Sequence, residues 1–206
     1  MAWDVEGTKR RILAAAAREF TERGPDATTM ERIARIAGVN KERVYNYFGS
    51  KPELFAAVLR EKLAVVAETI PIESSTPEGI GEYAGRLFDY NRAHPELVRL
   101  VLWEALSFPS EVPEEQQRRS YYAQKTAALA EAQSAGSLTP GLPPEHLNFL
   151  LLALAGYWYA VPQVARMMTE SGGGAEIDRR RAGVVEAARR LVTPEGAAPP
   201  RSPEAP

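Results

Sequence analysis

Cysteine is absent from this 206-residue sequence, which excludes disulfides, thiolate metal sites and cysteine nucleophiles and permits an intracellular location. Histidine is scarce, with only His94 and His146. No nucleophile elbow, metal-ligand spacing or cofactor loop accompanies them, so no enzymatic activity, metal or cofactor is expected. The segment SGGGA follows a helix and lacks the Lys-Ser/Thr ending that holds a triphosphate, so it reads as a flexible joint. Long apolar runs are missing too. The longest, 149–161, has thirteen residues against the roughly 20 a membrane-spanning helix needs. With Pro162-Gln163 behind it, that run reads as a helix buried in a core or subunit interface. The N-terminus MAWDVEGTKRR is acidic before it is basic, with no long apolar stretch after it, and so is not a secretory signal. The expectation is a cytoplasmic protein with no membrane partner.

Strand signals and internal repeats are also lacking, and the periodicities that are present are helical. A first helix is expected over 8–23, carried by Ile12, Leu13, Ala16 and Phe20 and stopped by Gly24-Pro25. The sequence TTME places Thr28 at an N-cap with Glu31 three residues on, and Asn40 caps a further short helix after Gly38. A second capping box, SKPE at 50–53, starts a long helix. Apolar-periodic segments follow at 80–93, 95–108, 113–135, 144–168 and 176–192. The chain therefore reads as all-α with about nine helices. We divide it into a three-helix unit at 1–52, a larger helical domain at 53–192, and a Pro-rich, disordered tail at 193–206, which has five prolines in fourteen residues.

The net charge of −2 conceals an asymmetry. Residues 1–52 hold ten Lys/Arg against seven Asp/Glu, a balance of +3, and leave −5 for the rest. Within that basic part, two short helices joined at Ala37-Gly38-Val39 make a helix-turn-helix unit. Ile33, Ala34, Ala37, Val39, Val44 and Phe48 would lock the pair, leaving Lys41, Glu42, Arg43, Tyr45 and Asn46 outward, where such a helix meets base edges in a major groove. Arg43 or Lys41 suits guanine O6/N7. Tyr45 suits a thymine methyl or a phosphate, Lys51 at a helix N-terminus suits a phosphate, and Thr28 and Thr29 suit the adjacent backbone. Glu42 suits either a cytosine amino group or the helix dipole, and Tyr47 either packing or a phosphate. The Arg-Arg pairs at 10–11, 118–119 and 189–190 read as solvated faces.

The stretch TTMERIARIAGVNKERVYNYFGSKPELFAAVL, 28–59, with the amphipathic helix before it, resembles the TetR family of bacterial transcriptional regulators. By position, the resemblance implies DNA contacts at Thr29, Asn40, Lys41, Arg43, Tyr45, Tyr47 and Lys51. Asn40, Glu42 and Arg43 stand where that family often has Ser and small residues, which implies an operator of this chain's own.

The resemblance further implies a ligand cavity among the middle helices, a dimer interface on the last two, and a swing of the helix starting at Lys51 when ligand binds. Candidates for the cavity are Tyr90, His94, Trp103, Glu104, Phe108, Tyr121, Tyr122, Trp158 and Gln163, aromatics to enclose an apolar or aromatic molecule and polar groups to orient it. Ile177, Val184, Ala188 and Leu191 form the stripe expected at the interface. A dimer also follows from recognition geometry, since one short helix reads few base pairs and two copies about 34–36 Å apart read a palindrome. The expected function is a homodimeric repressor released from a palindromic operator by a small-molecule effector. An effector-independent or architectural DNA-binding protein, or an activator, is the alternative.

Overall fold

A computed structural model describes residues 4–108, 112–169 and 173–196, with the side chain of Gln117 left out. Among the described residues lie ten helices and no strand: α1 (Val5–Ala27), α2 (Met30–Ala37), α3 (Lys41–Phe48), α4 (Lys51–Thr69), α5 (Pro77–Ala93), α6 (Pro95–Ser107), α7 (Glu115–Ser134), α8 (Pro144–Ala160), α9 (Pro162–Met168) and α10 (Gly174–Val192). Most of the tail expected at 193–206, from 197 onward, lies outside the described residues.

Local chemistry explains where these helices begin and end. α1 starts before residue 8 because the Asp4 carboxylate accepts the Gly7 N–H at 2.7 Å. Gly24 leaves helical geometry (φ 75, ψ 168), so the expected stop is a kink followed by one turn through Pro25. Asn40 and Ser50 cap α3 and α4 as expected, and the Ser50–Glu53 box closes from both sides. The cap of α2 differs from expectation. Thr29, not Thr28, accepts the Arg32 N–H at 3.2 Å, while Thr28 is fully buried and its hydroxyl donates to the Glu19 carbonyl.

One expected helix is two. The 144–168 segment bends by 84° between α8 and α9, at Val161 with φ −130 and ψ 61. Pro162 supplies the reason: it has no N–H to continue the ladder, and its ring drives the preceding residue out of the helical region. Among the described residues, no single helix is long and apolar enough to cross a membrane.

The buried apolar side chains form two cores. The first joins Ile12 and Phe20 of α1, Ile33 of α2, Val44 of α3, and Leu54 and Phe55 of α4, and it takes in Leu97 and Leu100 of α6. The second joins Tyr83 and Phe88 of α5, Leu129 of α7, Leu151 of α8, and Val184 and Ala188 of α10. Each such large side chain contributes about 1.5–3 kcal/mol by leaving water. Val66 and Tyr90 touch both cores, so α4 and α5 are the rods that tie one to the other. α10 lies close on α5 because Gly81 and Gly85 present no side chain: a Cβ at either would fall 2.8 Å from an atom of Val185.

Two expectations change here. Val184 and Ala188, expected on a dimer face, are buried in this chain's own second core, with Ile177 and Leu191 packed against it. Arg118, expected on a solvated face, is buried and forms a two-point ion pair with the buried Glu104.

Candidate functional site

The turn between α2 and α3 depends on Gly38, which adopts the left-handed conformation (φ 67, ψ 40) and lets the Val39 N–H return to the Ala34 carbonyl at 3.0 Å. Ile33, Ala34, Ala37 and Val44 are buried between the helices. The face of α3 left outside carries Lys41, Glu42, Tyr45 and Asn46, all exposed, with Arg43 half-exposed beside them. Tyr45 is 42% exposed.

The Lys41 ammonium pairs with Glu31 of α2 and stands 5.7 Å from the Tyr45 ring centroid. Its hydrogen bond to Glu31 raises its pKa, so it is fully cationic at neutral pH. The pair is exposed and worth little in water, so the ammonium can exchange Glu31 for a phosphate at small cost. Asn40 and Thr29 are exposed, but each spends its side-chain oxygen on a helix cap. Tyr47 is half-buried and packs against the first core.

Lys51 points inward from the expected phosphate site. Its ammonium donates to the Pro25 carbonyl at 2.5 Å and the Thr28 carbonyl at 3.1 Å, closing the end of α1. Thr28 lies off the exposed face entirely, with its hydroxyl engaged inside. The exposed outer face of α3 carries Lys41, Tyr45 and Asn46 with the half-exposed Arg43, whereas Thr28 and Lys51 are turned into the protein.

The candidate effector residues do not converge on one cavity. Trp103 and Phe108 pack into the first core, Phe108 with its ring 5.5 Å from that of Phe55. Glu104 is neutralised by Arg118. His94 is exposed at the α5–α6 junction, its ring 4.4 Å from that of Tyr90 and its Nδ1 3.4 Å from Glu96. Trp158 lies under the Arg180 guanidinium at 5.3 Å, and Gln163 is exposed on α9.

Tyr121 and Tyr122 do line a cavity of about 70 Å³ between α4, α5, α7 and α8 that is partly open to solvent. Its other walls include Val66 of α4, Tyr83 of α5, and the polar pair Lys125 and Asn148. Burial pushes the Tyr83 hydroxyl pKa up to about 12. Sequence reasoning passed over Lys125 and Asn148. The available signal was a lone amide just ahead of the apolar run of α8 and a lone cation in the apolar second half of α7.

Two short helices locked by apolar contacts, with a cationic and aromatic outer face and a helical body containing a cavity, define a helix-turn-helix DNA-binding regulator. Sequence matching agrees. The family described as "Bacterial regulatory proteins, tetR family" matches residues 12–58, and "Tetracyclin repressor-like, C-terminal domain" matches 79–190. The chain belongs to the TetR family of bacterial transcriptional regulators. It is 41% identical over 192 residues to the HTH-type transcriptional repressor SCO4008 of Streptomyces coelicolor, covering 93% of this chain and 98% of that protein. It is 32% identical to the HTH-type transcriptional regulator RutR of Escherichia coli K12, covering 72% of each. The crystal structure of SCO4942 from Streptomyces coelicolor superposes with a TM-score of 0.75 at 32% identity, covering 90% of this chain and 98% of that one.

Proposed function

We propose that the chain is a homodimeric transcriptional repressor that holds a palindromic operator through α3 and releases it when a small apolar or aromatic molecule enters the body. In this reading residues 1–52 are the DNA-binding domain and 53–192 the effector and dimerisation domain. The observation that carries it is the outer face of α3, where Lys41, Arg43, Tyr45 and Asn46 share one exposed surface while the opposite face is locked in the first core. The repressor assignment is supported by the likeness to the transcriptional repressor SCO4008, which matches nearly end to end.

A second copy is supported by exposed apolar side chains in the body: Leu106 of α6, Phe149 and Tyr157 of α8, and Met167 and Met168 of α9 are each at least 62% exposed. Apolar area of this kind is normally covered by a partner. It lies on α6, α8 and α9, whereas the expected α10 stripe is consumed internally. Release on ligand binding requires a ligand that prefers one of two arrangements of the pair. α4 suits that task, because its first half belongs to the DNA-binding core and its second half walls the cavity.

The test is selection of bound sequences from random duplex DNA by the purified chain, combined with sedimentation. Expected are a two-fold symmetric site with half-sites about one helical turn apart, a dimer, and a steep fall in affinity with salt. A strictly monomeric chain, or no enrichment at low ionic strength, overturns the proposal.

A further inference from the structure

Resting on the reading of the body as an effector domain, we infer the class of molecule this chain's cavity selects: a single-ring compound with a hydrogen-bond donor for Asn148 Oδ1 and an acceptor oxygen for Lys125 Nζ. Its entry loosens the C-terminal end of α4.

The amide of Asn148 can be oriented from its surroundings. The residue is 4% exposed, and its Nδ2 donates to the Tyr122 carbonyl at 3.3 Å and to Thr126 Oγ1 at 3.1 Å. The Thr126 hydroxyl itself donates to the Tyr122 carbonyl at 3.0 Å. Both partners on that side therefore accept, and only the nitrogen can face them. Oδ1 takes the other edge of the amide, buried, and among the described residues it meets no donor. A buried acceptor left unmet is costly, so a ligand donor that meets it gains about tenfold in affinity over one that cannot.

Lys125 is the other polar wall. Its ammonium donates to the Ile70 carbonyl at 2.8 Å and the Ala67 carbonyl at 3.4 Å, at the end of α4. Burial and the nearby Arg86 charge lower its pKa; the two carbonyls take two of its three donors and the Tyr83 ring centroid lies 5.9 Å away, which leaves one donor for an acceptor oxygen from a ligand. The remaining walls are apolar or aromatic and hold no carboxylate, which argues against a cationic ligand. Drawing the ammonium toward a ligand weakens its hold on the last carbonyls of α4.

Size favours coupling to a wall. The cavity is about 70 Å³, whereas an engineered apolar cavity that holds benzene measures roughly 150 Å³. A ring lies wholly inside only if a wall moves. Tyr83 and Leu87 of α5 are buried, while Leu63, Val66 and Ala67 of α4 and Tyr121 and Lys125 of α7 are half-exposed, so the yielding wall is α4 or α7, and α4 is the one that continues into the first core. The first half of that helix, through Leu54 and Phe55, is built into the core under α3.

The test is calorimetric titration of the full chain with benzamide (donor and acceptor), N,N-dimethylbenzamide (acceptor only) and ethylbenzene (neither). Benzamide is expected to bind about tenfold tighter than N,N-dimethylbenzamide. Asn148→Leu should erase that preference, and Lys125→Met should bring both amides toward ethylbenzene. The wild-type comparison stands without either variant. No benzamide binding, equal affinity for the three compounds, or a preference that survives in a folded Asn148→Leu chain overturns the inference. If discrimination is found but benzamide leaves the affinity for the selected operator unchanged, the ligand class stands and the release mechanism proposed above falls.

Discussion

The indole of Trp103 on α6 covers Gly24 on α1 so closely that a Cβ at Gly24 would fall 2.7 Å from the ring. Gly24 also holds φ 75 and ψ 168, a region nearly closed to other residues. The contact fastens the body of the protein to the kink that leads into the helix-turn-helix unit. Gly24→Ala should therefore cost about 2 kcal/mol or more in urea denaturation, from backbone strain together with the displaced ring. Because part of that loss is the clash, the double variant with Trp103→Ala should lose less than the two single changes added together. Strict additivity would show that the ring and the glycine act independently.

Glu104 and Arg118 make the best-enclosed ion pair of the body, with side chains 9% and 8% exposed. Removing one partner strands a buried charge, so Glu104→Gln or Arg118→Met should each cost roughly 3–5 kcal/mol in equilibrium unfolding. Replacing both, as Glu104→Leu with Arg118→Met, should return stability to within about 1–2 kcal/mol of wild type. If Glu104 were instead an effector contact held by little else, Glu104→Gln would leave stability almost untouched.

The sequence disclosed the helix-turn-helix unit well because its signals are local. Caps at Asn40 and Ser50, the Gly38 turn and the apolar set around Val44 are each fixed by a few neighbours, and they fold as the pattern implies. Adjacent caps are harder to separate. Thr28 and Thr29 both fit an N-cap, and only the tertiary bond from Thr28 to Glu19 decides between them. The cavity was the least legible part, since its polar walls belong to α7 and α8, 23 residues apart, and their meeting depends on packing. For the same reason Arg118 passed as a surface residue: nothing local to α7 announces Glu104 on α6.

Glu186 accepts from Arg189 and Arg190 within one turn of α10, and these hydrogen bonds lower its pKa from 4.5 to about 2. A carboxyl whose folded pKa is depressed contributes stability that is present above the unfolded pKa and lost as pH falls through the folded one. The urea midpoint of wild type should therefore exceed that of Glu186→Gln by a constant amount above about pH 5, with the gap closing as pH drops from 4.5 toward 2. The groups lie at the surface, Arg190 exposed and Glu186 and Arg189 half-exposed, so added salt should shrink the gap at every pH. A gap that persists unchanged at the acid end would assign it to packing of the side chain.

On the proposed function, Lys51 positions α3 and Tyr45 touches DNA. Lys51 has two donors committed to the carbonyls of Pro25 and Thr28, and charge-assisted bonds of this sort are worth about 1.5–3 kcal/mol when formed in the interior, less at a half-exposed site. Lys51→Met should therefore lower the urea midpoint while leaving the dependence of operator affinity on salt as steep as in wild type. A phosphate contact would instead reduce the logarithmic slope by about 0.9. Tyr45→Ala should barely touch stability, shifting it by no more than about 0.5 kcal/mol because the ring is exposed. It should still cost about 1–3 kcal/mol of affinity for the selected operator and relax the base preference at one position of each half-site. Titrations of both variants across a range of salt concentrations decide the matter, because position and contact act on different observables: one moves the midpoint of unfolding, the other the affinity and its sequence dependence.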